Sequence, residues 1–217
     1  MSAVAPYDAI ILAGGRSTRL GGSPKALLLA GGRTLLETTL AAVPDARSIA
    51  VAGPPELSTL LGPPAAGGSS GTPLLVREEP AFAGPAAAVG AAVVALAAAG
   101  EGKDSGGSPW TMVLACDMPQ VAAAVRALLA AAAAPDVESL LAVDSSGNRQ
   151  PLAALYRTAD LRAAVDSLAS EGLANKSMKA LLARVQWRGV DVPPLSTADV
   201  DTWNDAQSLG VSAGDLP

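Results

Sequence analysis

Histidine is absent from the 217 residues, cysteine occurs once, and aromatic residues make up only 3%. Without an imidazole there is no Ser-His-Asp or Cys-His catalysis, no histidine general base, and no zinc site that needs one. With Cys116 as the single cysteine, an intramolecular disulfide and a cysteine-rich metal cluster are both excluded, which fits a reducing compartment and makes the cytoplasm the expected location. Positive charge is also in short supply. Fifteen Lys and Arg stand against twenty Asp and Glu, giving a net charge of −5 and a pI near 4.7. That balance offers no basic footprint for a nucleic-acid backbone, although a local cationic pocket can still hold one anionic ligand. Long hydrophobic runs are missing too. The alanine-rich stretches Ala86 to Ala99 and Val121 to Ala134 fall short of the ~20 apolar residues of a membrane span, Arg126 interrupts the second, and the first residues lack the basic region of a signal peptide. Neither a nucleic acid nor a membrane is an expected partner, and the chemistry must rest on carboxylates, Lys, Arg and backbone.

What the chain does have is core. Half of its residues are hydrophobic and the mean hydropathy is +0.34, so it can bury a core of small side chains. Short apolar runs alternate with longer helix-like stretches, the pattern of βαβ units and a mostly parallel sheet. Strands are predicted at Asp8 to Leu12, Ser48 to Ala52, Leu74 to Val76, Thr111 to Ala115, Ser139 to Val143 and Leu152 to Tyr156, with a short one near Trp187 to Val190. Helices are predicted at Thr34 to Ala42, Pro85 to Ala99, Val121 to Ala134, Ala159 to Ser170, Lys176 to Arg184 and after Asn204. The Gly/Pro/Ser-rich stretches Gly62 to Pro73 and Gly100 to Pro109 read as surface loops. No internal repeat is visible, so residues 1–217 are expected to form a single domain with an ordered core over about 8–210 and a frayed tail from Val211.

Directly after the first strand comes Leu12-Ala13-Gly14-Gly15-Arg16-Ser17-Thr18-Arg19-Leu20-Gly21-Gly22-Ser23-Pro24-Lys25, with four glycines and three cations in fourteen residues. Glycines let backbone N–H groups approach an anion, and Arg19 and Lys25 can neutralise a polyphosphate. Ligands of open α/β sheets bind beyond the carboxyl ends of the strands, where this loop falls. The spelling matches neither the dinucleotide fingerprint nor the P-loop, since Lys25 is followed by Ala26. A second strand end, Thr111 to Pro119, closes on a carboxylate, Asp117, at the same sheet edge, where a hard cation could share it with substrate phosphates. A helix cap is the alternative role for Asp117. Cys116 beside it reads as a packing residue.

The loop's spelling resembles the signature of the nucleotidyltransferases, and the rest of the chain is most similar to their molybdenum cofactor guanylyltransferase branch, over roughly residues 8–210. The fold implied is a three-layer α/β/α Rossmann-like nucleotidyltransferase. By resemblance the nucleotide is held by Leu12, Ala13, Gly14 and Gly15, with Arg19 and Lys25 on the phosphates, and Glu78 and Asp117 nearby. Arg19, Lys25 and Asp117 are the implied catalytic residues. Asp201, in Asp199-Val200-Asp201-Thr202-Trp203, resembles the second metal ligand beside Asp117, the cofactor being Mg²⁺. Gly84 and Pro85, which resemble the start of the family's Gly-Pro helix, and Gln150, in a Gln-Pro-Leu-x-Ala-Leu-Tyr motif, are the implied acceptor-binding residues. The alternatives from the residues themselves are a helix-capping Asp201 and a surface Glu78. Pro24 stands where the branch has aspartate, Trp203 where it has proline, and Ala88 where it has glycine.

The activity implied is transfer of GMP from Mg-GTP to the terminal phosphate of molybdopterin with release of pyrophosphate, with other molybdenum cofactor biosynthesis or acceptor proteins as possible partners. A related transferase using CTP or a sugar-phosphate acceptor, and a non-catalytic nucleotide-binding module, are the competing expectations.

Overall fold

Strand β1 (Tyr7–Leu12) is almost entirely buried, because neighbouring strands flank it and helices cover both its faces; its near-continuous apolar run has that cause. The computed structural model that shows this describes residues 5–15, 17–62, 71–100, 107–134 and 138–214. After β1 the chain forms a small hairpin, β2 (Leu29–Ala30) and β3 (Arg33–Thr34), then α1 (Leu35–Ala41), β4 (Ile49–Ala52), α2 (Ser58–Leu61), β5 (Leu74–Val76) and α3 (Pro85–Gly100). The second half runs through β6 (Trp110–Ala115), α4 (Val121–Ala131), β7 (Ser139–Val143), β8 (Arg149–Arg157), α5 (Thr158–Glu171), α6 (Met178–Leu182), β9 (Trp187–Asp191), α7 (Trp203–Ser208) and β10 (Val211–Ser212).

Seven strands form one sheet in the order β5-β4-β1-β6-β8-β7-β9. It is parallel except at β8, which runs antiparallel to β6 and β7. The exception has a local cause. Residues 144–148 between β7 and β8 are too few for a crossover, and the Asp144 carboxylate accepts the N–H groups of Ser146 (2.8 Å) and Asn148 (2.9 Å), closing a hairpin.

Alternation along the strands feeds two cores. Ile11, Val51, Met112 and Leu114 pack on one face with Leu36 of α1 and Val121 and Leu128 of α4. Ile10, Ala50 and Val113 pack on the other with Val89 of α3, Leu161 of α5 and Leu181 of α6. The fold is thus three-layered α/β/α with a mostly parallel sheet, as its sequence pattern predicts. Among the described residues, no helix is long and apolar enough to cross a membrane.

A second, three-stranded sheet, β10-β2-β3, lies outside the sequence prediction. Gly31 and Gly32 turn its hairpin at φ 59° and 81°, the left-handed pair of a two-residue turn that glycine adopts without strain. Its third strand corrects the expected tail: Val211 is buried and pairs with Ala30, and Ser212 with Leu29. Burying the Val211 side chain is what orders this segment. A third cluster forms around it from Leu20, Leu28, Leu35, Val200 and Ala206. The predicted loops fall partly outside the described residues, at 63–70 and 101–106.

Candidate functional site

The strands β1, β4 and β6 end side by side at Leu12, Ala52 and Ala115. Their pairing continues one step into the loops. The Ala13 N–H donates to the Ala52 carbonyl (2.8 Å), and the Cys116 N–H to the Leu12 carbonyl (3.0 Å). The glycine loop and Asp117 therefore leave the sheet from neighbouring points at its carboxyl edge, where open α/β sheets bind ligands.

Gly15 sits at φ 138° with open space where a Cβ would be, so its backbone conformation, not crowding, calls for glycine. Further along, the buried Leu20 anchors the loop in the third cluster. Pro24, at φ −61°, then leads into a 3-10 turn that begins with Lys25. The proline that departs from the branch pattern thus presets the backbone that launches the lysine.

Val200 belongs to the same cluster, and its N–H donates to the Asp117 carbonyl (3.0 Å). Packing of Leu20 with Val200 and this one hydrogen bond bring together segments far apart in sequence. At their junction the Lys25 ammonium bridges two carboxylates, 2.8 Å from Asp117 Oδ2 and 2.5 Å from Asp201 Oδ1. Arg19 Nη1 lies 3.3 Å from Asp201 Oδ2 in a largely exposed contact, worth only about 0–1 kcal/mol. Burial works against the Lys25 charge, but the Asp117 and Asp201 carboxylates outweigh it and hold the ammonium above the ordinary lysine range.

The helix-cap alternatives are not what these carboxylates do. Gln120 occupies the N-cap of α4, and Thr202 that of α7, where Thr202 and Asp205 form a capping box. Trp203 takes the first helical position, whose N–H has no intrahelical partner; the box closes the helix start in place of the family's proline.

A third carboxylate, missed in the sequence, joins the pair. Asp117, Asp199 and Asp201 each present an oxygen, all within 4.8 Å of one another. Asp199 is exposed, and partial desolvation, with the negative charges of Asp117 and Asp201, pushes its carboxyl above the usual range. Three hard oxygen donors whose charges repel are a set that a divalent cation such as Mg²⁺ or Mn²⁺ suits. The D-x-D spacing was the available signal for Asp199. Burial pushes the neighbouring Cys116 thiol far up and keeps it un-ionised, as befits a packing residue.

Two hollows meet at this cluster and share Gly14, Gly15, Lys25 and Asp117. One, of about 290 Å³, is polar and adds Ser17, Thr18, Arg19 and Asp201. The other, of about 380 Å³, is more apolar and adds Leu12, Ala52, Glu78, Phe82, Gly84, Pro85 and Leu152 among others. Ala13 is buried behind the loop and meets neither. Glu78 is not a bare surface group, since its carboxylate accepts the Phe82 N–H at 3.0 Å. Gln150, the implied acceptor-binding residue of β8, lines neither of these two hollows. The pairing of β7 with β8 jumps from Leu141↔Ala154 to Ala142↔Gln150, an irregularity that passes over Pro151, Leu152 and Ala153, and proline has no N–H for the ladder. The residue of β8 that reaches the larger hollow is Leu152. Arg16 lies outside the described residues.

Comparison with known proteins bears on the family and the fold. The family model of the MobA-like NTP transferase domain matches residues 9–192. A curated relative, the 2-C-methyl-D-erythritol 4-phosphate cytidylyltransferase of Thermus thermophilus, is 59% identical over 46 residues; this match spans 21% of the chain and only about a fifth of the relative's length, 22%. Among solved structures, a 2-C-methyl-D-erythritol 4-phosphate cytidylyltransferase from Francisella tularensis superposes with TM-score 0.69 at 16% identity, covering 95% of this chain and 99% of its own. Molybdopterin-guanine dinucleotide biosynthesis protein A from Archaeoglobus fulgidus gives TM-score 0.63 at 17% identity, covering 93% and 96%. Rv0371c from Mycobacterium tuberculosis, solved as a complex with manganese, gives 0.55 at 18%, covering 94% and 98%. At these identities the structural likenesses speak for the fold.

Proposed function

The chain belongs to the MobA-like NTP transferase domain family, and we propose that it is a nucleotidyltransferase that transfers GMP from GTP to the terminal phosphate of molybdopterin, with Mg²⁺ as cofactor. The observation that carries this reading is the Lys25 ammonium held between Asp117 and Asp201 at the meeting point of the two hollows. One hollow then takes the nucleoside and the other the polyphosphate and acceptor phosphate. The Gly14 and Gly15 backbone lies along both, and Arg19 and Lys25 neutralise the phosphates.

In the reaction, an oxygen of the acceptor's terminal phosphate attacks the α-phosphorus of GTP in line. A new P–O bond forms there as the bond from the α-phosphorus to the bridging oxygen breaks, and pyrophosphate leaves with that oxygen. The attacking group is already an anion, so no protein base is required, which suits a chain without histidine. Lys25 and Arg19 offset the charge that builds on the phosphates, and a charge-assisted hydrogen bond of this kind contributes about 1.5–3 kcal/mol. A divalent cation held by Asp117 and Asp201, with Asp199 beside them, would supply further charge neutralisation at the phosphates. Rv0371c, which binds manganese, supports a cation in this family of folds.

A second reading, CMP transfer to 2-C-methyl-D-erythritol 4-phosphate, is favoured by the 46-residue match to the Thermus cytidylyltransferase. Pyrophosphate release from GTP, CTP, ATP and UTP, each paired with molybdopterin or with 2-C-methyl-D-erythritol 4-phosphate, separates the two. Release with GTP and molybdopterin is expected. Release with CTP and the erythritol phosphate alone would replace the first reading by the second, and no release from any pair would leave a nucleotide-binding module.

A further inference from the structure

Phe82 is one of six aromatic residues in the chain and, among the described residues, the one aromatic that lines the larger hollow. Its backbone sits at φ 62°, a left-handed conformation in which a bulky side chain is strained, and the residue is 49% exposed. Hydrophobic burial therefore does not account for an aromatic at this point. Several contacts nevertheless hold it there. The Glu78 carboxylate accepts the Phe82 N–H (3.0 Å), and the Asn175 N–H donates to the next carbonyl, that of Ala83 (2.6 Å). The Arg77 guanidinium lies over the ring, 5.9 Å from its centroid. Strain of this kind persists where the surroundings over-determine it, and it collects at ligand clamps.

We infer that Phe82 is the stacking platform for the nucleobase of the bound triphosphate, with Arg77 backing the ring. The inference rests on the nucleotidyltransferase reading of the same site. The hollow it lines is walled by Leu12, Ala52 and Leu152 and includes Lys25 and Asp117, so a ring lying against Phe82 belongs to a molecule whose phosphates reach the cluster. Apolar walls suit the faces of a planar heterocycle, and Glu78 offers a carboxylate to its N–H edge. A cation over one face of an aromatic and a base on the other is a favourable sandwich. Every base has a π face, so the platform raises affinity for all four nucleotides and leaves base choice to the edge contacts.

The test is calorimetric titration of the full chain with GTP, with each other NTP, and with inorganic triphosphate, in Mg²⁺ and without acceptor. Phe82→Ala and Phe82→Gly should each weaken GTP about tenfold and the other NTPs similarly, while triphosphate binds as to the native protein; Phe82→Trp should retain affinity. Phe82→Gly should also unfold at the same or a higher temperature than the native chain, because glycine adopts φ 62° freely. A platform held only for structure would give the opposite pair, lower stability and intact binding, and would overturn the inference. So would an equal loss for triphosphate and GTP, or unchanged GTP affinity with a raised KM for the acceptor, which would assign the ring to the acceptor. Native protein that binds GTP in this way but releases no pyrophosphate would sink the proposed activity and leave the platform standing. Native protein that binds triphosphate no worse than GTP would sink the platform alone.

Discussion

Lys25 decides more of the site than any other side chain, because among the described residues it is the one group that touches both Asp117 and Asp201. Lys25 and Asp117 are both largely shielded from solvent, so deleting the lysine leaves Asp117 without its cation as well as removing a phosphate ligand. Lys25→Ala is expected to lower turnover at least tenfold, the size of one lost charge-assisted bond, with the fold retained by circular dichroism. The two aspartates hold the same ammonium and face the same space, so they act as a unit. Asp117→Asn and Asp201→Asn should each cut kcat severely, and the double variant should be little worse than the poorer single one. Losses that multiply would show two independent carboxylates and remove the shared cation from the mechanism.

At the scale of elements, the short strand β10 is what the glycine loop leans on. Val211 and Leu20 share a cluster with Val200, and Val200 ties the Asp199–Asp201 segment to Asp117. Ending the chain after Gly210 removes the Val211 burial, about 1.5–3 kcal/mol, and the pairing with Ala30. A lowered urea midpoint and a raised KM for GTP are expected; a dangling tail would change neither. This dependence also explains which parts were legible in the sequence. The strands β1, β4 and β6 were readable because strands buried on both faces are continuous apolar runs, and α1 because Thr34 and Glu37 spell a capping box. The loop from Gly14 to Lys25 and Asp117 were readable because each is written locally, at the end of such a strand. The hairpin was not, since two-residue strands carry no periodicity, although Gly31-Gly32 marks its turn. Asp199 and Phe82 depend on tertiary packing that no local pattern encodes.

The whole molecule has an unusual relation to pH. No histidine is present and burial pushes the Cys116 thiol upward, so no side chain of ordinary pKa ionises between about pH 5 and 8. Among the described residues three carboxyls are held below the usual range: Glu37 by hydrogen bonds from Thr34, Asp205 by those from Thr202, and Asp144 by those from Asn148. A lowered folded pKa gives stability that is present above the unfolded value and lost as pH falls through the folded one. Asp199 has the opposite sign. Its raised carboxyl means that the charged form weakens the fold at neutral pH, and that protonation on the acid side returns some of that stability. The urea midpoint of the chelator-treated protein should therefore be flat from pH 6 to 8 and fall below about pH 4.5, where the unfolded chain takes up protons that the capping carboxyls resist. Asp199→Asn removes the repulsion, so it should raise the midpoint at pH 7 and steepen the fall in acid. A carboxylate whose removal steadies the protein while GTP turnover drops is one kept for the cation and not for the fold. A midpoint that falls at pH 7 on the same substitution would mark Asp199 as structural and return the site to Asp117 and Asp201 alone.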